Sequence, residues 1–168
     1  MEAPAWALSV AYWIHMIATV VWVGGLAALG FVVLPSARQA LDAGAFAVFL
    51  EKVQRRLDPL SWLSLAVLVA TGLFQMSASP FYKGFLAINN RWAVAILSKH
   101  ALVGLMIAVS AYMTWVLLPN LRRIALLEAR GRGTSEAERL RNRELFLLRL
   151  NLAFGILVLA LTAVARTS

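Results

Sequence analysis

Long stretches without a charged side chain restrict what this sequence can fold into. Between Glu2 and Arg38 the one ionisable side chain expected to matter is His15, and no charge stands between Asp58 and Lys83. From Trp92 to Leu118 the only interruption is the pair Lys99-His100, and Leu150 to Ala165 is again free of charge. A helix needs roughly 20 apolar residues to cross the hydrocarbon of a bilayer, and in lipid its backbone groups must bond within the segment. Four spans are therefore expected, over about 6–35, 58–79, 92–118 and 145–166, joined on one side by loops over 36–57 and 119–144. The first reads as a permanent helix, because it lacks a basic leader and a small-residue cleavage site. The expected fold is all-α: an integral membrane, antiparallel four-helix bundle forming one transmembrane domain over 1–168. With 61% hydrophobic and 14% charged residues, the chain is far from soluble composition.

A net charge of +8 would suit nucleic acid, but its distribution suits topology. The first loop carries Arg38, Lys52, Arg55 and Arg56. The third loop and the start of the last span carry Arg122, Arg123, Arg130, Arg132, Arg139, Arg141, Arg143 and Arg149. The opposite side has Lys83, Arg91 and Arg166. By the positive-inside rule the first and third loops face the cytoplasm and both termini face out. This implies a multi-pass protein of the cell membrane with the bilayer as its first partner, and calls for no nucleic acid. The absence of cysteine excludes thiolate metal sites and disulfides.

The chain resembles itself. Phe31-Val-Val-Leu-Pro35-Ser-Ala-Arg38 ends the first span, and Trp115-Val-Leu-Leu-Pro119-Asn-Leu-Arg122 ends the third. Arg56-Leu57-Asp58 leads into Leu-Ala-Val-Leu-Val-Ala-Thr71, as Arg149-Leu150-Asn151 leads into Ile-Leu-Val-Leu-Ala-Leu-Thr162. Two hairpins of equal orientation would be related by a pseudo-twofold axis along the membrane normal. His15 stands 20 residues before Pro35 and His100 stands 19 before Pro119. The only two histidines are thus expected at nearly one depth on parallel helices, in the outer half of the membrane.

An ionisable side chain inside a span is costly, which makes it a functional candidate. A lone histidine would more often be a neutral, hydrogen-bonded packing residue; a symmetric pair points to ligation. Two facing imidazoles suit the two axial positions of a haem iron, and this is the first reading. Gly104, one turn beyond His100, would leave room for a flat macrocycle, and Trp22 would wall it. Lys99 and Arg91 would meet its propionates. The alternative is copper, with Met76 completing a soft site beside His15 and His100. The chain carries no carboxylate pair, phosphate loop or nucleophile–base spacing, so no catalytic residue is assigned. A redox or binding role is favoured over hydrolase or transferase chemistry.

The segment Trp13-Ile-His15-Met-Ile-Ala-Thr-Val-Val-Trp22-Val-Gly24-Gly25-Leu26 resembles the first helix of the copper-resistance D (CopD) family. Ala70-Thr71-Gly72-Leu73 and Ser98-Lys99-His100-Ala-Leu-Val103 resemble its second and third helices. The resemblance implies a polytopic membrane domain associated with copper. A weaker similarity, in His15, Trp22, Arg56-Leu57 and Lys99, is to HemJ-type membrane proteins, and implies b-type haem. Together these readings give a bis-histidine haem b protein in electron transfer, with a redox partner at the outer face and a homodimer as an assembly. Copper binding or transport is the alternative; a structural subunit and a porphyrinogen oxidase stand behind both.

Overall fold

A computed structural model describes residues 4–80, 82, 84, 91–130 and 136–166. Among them the chain is helical nearly throughout, in the order α1 (Ala5–Ala28), α2 (Leu34–Ala40), α3 (Ala43–Ser77), α4 (Arg91–Tyr112), α5 (Leu118–Ala129) and α6 (Glu136–Arg166). Five-residue π-helical turns, Leu29–Val33 and Met113–Leu117, join α1 to α2 and α4 to α5. Four continuous rods result, all long and apolar enough to cross a bilayer. Only 11–22% of their most apolar windows is buried inside the bundle, and Trp6, Val20, Phe31, Val32 and Trp115 are exposed. Apolar surface on that scale belongs against lipid. The protein is a multi-pass, all-α membrane bundle.

The rods are longer than the sequence suggests. Ala5–Ala40 has 36 residues, about 54 Å of helix, against a hydrocarbon core of about 30 Å. The expected loop over 36–57 shrinks to Leu41 and Asp42. Asp42 caps α3, its carboxylate accepting the N–H of Ala45 at 2.8 Å, which satisfies an otherwise orphaned donor. Helix continues from there because Phe46, Ala47 and Leu50 make one buried stripe. Asp58-Pro59, expected to start a span, therefore lies inside α3 with Pro59 exposed. The loop over 119–144 is likewise largely helical. Gly131-Arg-Gly133, which the sequence reads as a turn, and Thr134, which it reads as a helix cap, fall outside the described residues.

The duplication is visible in three dimensions. Each Leu-Pro motif follows its own π-helical turn, in which Leu34 N–H bonds Leu29 O and Leu118 N–H bonds Met113 O. A proline clashes with the carbonyl four residues back, and a π turn is a recognised way to absorb such a conflict. Alignment on Pro35 and Pro119 pairs Ala11 with Ala95, Trp22 with Met106 and Ala37 with Leu121, and all six side chains are buried. Helix α1 packs chiefly on α3, and α4 on α6, giving two hairpins. Contacts of α3 with α5 and of α1 with α6 join them.

Arginines of the repeated motif tie the hairpins together crosswise. Arg38, in the first hairpin, pairs with Glu144 in the second; Arg122, in the second, pairs with Glu51 in the first at 2.7 Å. Glu51 stands seven residues before Asp58, as Glu144 does before Asn151, so the two bridges are repeat-related. Trp62 on α3 also stacks on Trp115, with ring centroids 5.3 Å apart. These links lie toward the end that carries the arginines, here the basic end. The opposite, termini end holds a cavity between the hairpins.

Candidate functional site

The cavity has a volume of about 580 Å³ and is lined by α1, α3, α4 and α6. Its floor is the buried cluster of Trp22, Leu65 and Met106. Met16 and Val20 line it while remaining largely exposed, so it opens sideways along α1. Both histidines line it, together with Lys99, Trp22, Met76 and Met106. Met76 is buried at the far end of α3. Gly104 is exposed and lies outside the lining. The lining of α4 runs Ile96, Lys99, His100, Val103, Met106, so Val103 occupies the face that i+4 spacing suggested for Gly104. Gly72 supplies the close approach instead: a Cβ there would lie 3.5 Å from His15 Cε1. Arg91 is the first residue of α4; its side chain, and Lys83, lie outside what is described.

Hydrogen bonds fix which ring nitrogen of each histidine carries the lone pair. Thr71 Oγ1 gives its single proton to the Val67 carbonyl at 2.6 Å. The contact of 2.7 Å between Thr71 Oγ1 and His15 Nδ1 is then a bond that His15 donates. His100 Nδ1 lies 2.7 Å from the Ile96 carbonyl, which can only accept. In its neutral form each ring is therefore protonated at Nδ1 and carries its lone pair on Nε2. Such an outer partner orients a metal-binding imidazole and raises its basicity. The sequence marked Thr71 only as part of the repeat and of the family resemblance, not as a partner of His15; its repeat counterpart Thr162 lines the cavity.

Among the described residues, no three His, Asp or Glu side chains come together. A hard or zinc-type donor set is thus not what this cavity offers. It offers two imidazoles and the thioethers of Met76 and Met106, with Met16 at its opening, a set suited to a soft monovalent metal such as Cu(I). The indole N–H of Trp22 is buried without a hydrogen-bond partner among the described residues.

Fold and cavity together define a multi-pass membrane protein with an imidazole–thioether chamber between two repeated hairpins. The sequence model of copper resistance protein D (CopD) matches residues 51–165, about two thirds of the chain, and the chain belongs to that family. His15 precedes the matched stretch, whereas Met76, Lys99, His100 and Met106 fall within it. No curated protein and no solved structure matched the chain. The family's description names copper, the alternative of the sequence reading, and lends nothing to haem.

Proposed function

We propose that the chain binds copper in the inter-hairpin cavity and handles it as cargo in the membrane. His15 and His100 bind through Nε2, and Met76 and Met106 supply thioethers. The observation that carries this reading is that the only two histidines line one chamber with two buried methionines, each Nδ1 tied to an oxygen acceptor. The positive-inside rule sets the basic end in the cytoplasm, and the chamber then faces the outer side of the cell membrane. Lipid along α1 covers the sideways opening.

Haem b held by His15 and His100 is a second reading, favoured by the chamber's size and by the unpartnered Trp22 N–H. One preparation separates the two. Protein purified after expression with copper and haem both sufficient should carry copper near one equivalent and show no Soret band. A Soret band with an alpha band that sharpens on reduction would replace copper with haem. Neither copper nor porphyrin, with the His15→Ala/His100→Ala variant behaving as native, would leave a structural subunit.

A further inference from the structure

The two crossed bridges are repeat-related but unequally enclosed. Around Arg38–Glu144 the bundle is closed, and Glu144 is fully buried. Around Arg122–Glu51 it is open, and those side chains are 45% and 36% exposed. The opening is a groove of about 660 Å³ between α3 and α5. The second repeat builds it by extension: α2 stops at Ala40, whereas its counterpart α5 runs to Ala129. The added turns carry Leu126, Leu127 and, at the end, Arg130, which line the groove together with Arg123, the counterpart of Gln39.

The groove's chemistry is amphipathic and cationic. Arg55, Arg122, Arg123 and Arg130 line it against Glu51 and Asp58, and Glu51 already bonds Arg122. An excess of guanidinium therefore remains, beside an apolar strip of Pro119, Leu126 and Leu127. Guanidinium forks match phosphate oxygens. Depth matters as well. From Trp92 to Pro119 is 27 residues, about 40 Å of helix, which matches the 40–45 Å of a bilayer with its headgroups. Pro119, at the membrane-side end of the groove, thus sits at headgroup level on the basic end, and the arginines from Arg122 to Arg130 follow it outward along α5.

We propose that this groove is a site for one anionic phospholipid, its phosphate at Arg122 and Arg123, its headgroup reaching along Leu126 and Leu127 toward Arg130, and its first acyl carbons at Pro119, on the membrane side of the arginines. The site does not depend on what the chamber binds. Basic pockets between helices are established headgroup sites, and here one copy of a duplicated corner has opened while the other stays shut.

Native mass spectrometry of the detergent-purified chain tests it, with phosphatidylglycerol and phosphatidylcholine offered at equal concentration. One phosphatidylglycerol should be retained at least tenfold in preference to phosphatidylcholine. Arg123→Gln/Arg130→Gln, which leaves the Arg122–Glu51 bridge intact, should lower that retention at least tenfold. Lys52→Gln/Arg139→Gln removes two exposed charges outside the groove and should change nothing. Equal retention of the two lipids would overturn the site. So would an equal loss in the Lys52/Arg139 variant, which would reduce the effect to diffuse attraction. Displacement by inorganic phosphate at the lipid's own concentration would assign the arginines to a soluble anion.

Discussion

Glu144→Leu is expected to destabilise the protein by about 3–5 kcal/mol, the usual cost of removing one partner from a buried ion pair. In Tm this is on the order of a 10 °C fall, measurable by thermal unfolding in detergent. The cost arises because Arg38, whose side chain is 17% exposed, keeps its charge with nothing to neutralise it; its other described bond is to the Arg141 carbonyl. Glu51→Leu removes the repeat-related carboxylate and is expected to cost about 0–1 kcal/mol, since solvent already screens the Arg122–Glu51 bridge. Arg38→Met/Glu144→Leu should recover most of the loss, because burying neither charge avoids the desolvation cost of both. Equal effects of Glu144→Leu and Glu51→Leu would contradict the unequal enclosure of the two bridges.

The second large effect concerns copper. His15→Ala and His100→Ala should each weaken Cu(I) binding by more than 100-fold, read by competition with a chromogenic Cu(I) chelator. Thr71→Val keeps the side chain's shape and deletes the acceptor of the His15 Nδ1–H bond. Loss of an outer partner of that kind typically costs 10–100-fold in affinity. Met76→Leu should weaken Cu(I) more than Cu(II), because thioethers favour the softer ion. Unchanged affinity in both His15→Ala and Thr71→Val would remove His15 from the site. A fall in Thr71→Val alone would mean that the threonine, and not the imidazole, meets the metal.

Much of the architecture was legible because its cause is one-dimensional. Charge-free stretches of span length have few alternatives in folding, so four membrane helices follow from the sequence directly. The repeat was legible for a similar reason, since a proline and an arginine recur at the same topological place. What stayed hidden depends on partners distant in sequence. Arg38 and Arg122 read as orientation signals, because nothing local says that each reaches a glutamate on the other hairpin. Pro59 reads as a helix start by its preference for the first turn. Buried Phe46 and Leu50 override that preference by carrying the helix in from Asp42. The histidines were legible as a pair and the structure brings both to one chamber, although the repeat register places Lys99, not His100, opposite His15. Their tautomers were not, since those depend on Thr71 and Ile96. Gly104 was assigned from helical-face spacing alone; His100 stands at one edge of the α4 lining, so the step of about 40° to Gly104 leaves it, whereas the opposite step to Val103 stays on it.

The π-helical turns change how distance along the chain converts into direction. His15 and Arg38 are 23 residues apart, as are Lys99 and Arg122. Each π turn between them takes up one spare residue, worth about 100° of rotation in an ordinary helix. The rods therefore turn through only about 22 helical steps. Chamber-facing and bridge-forming side chains keep a phase that a wheel drawn from sequence would miss. Deleting one residue within Leu29–Val33 should let that turn relax to α-helix with Arg38 still aimed at Glu144. The same deletion in mid-α1 should swing His15 away from Thr71.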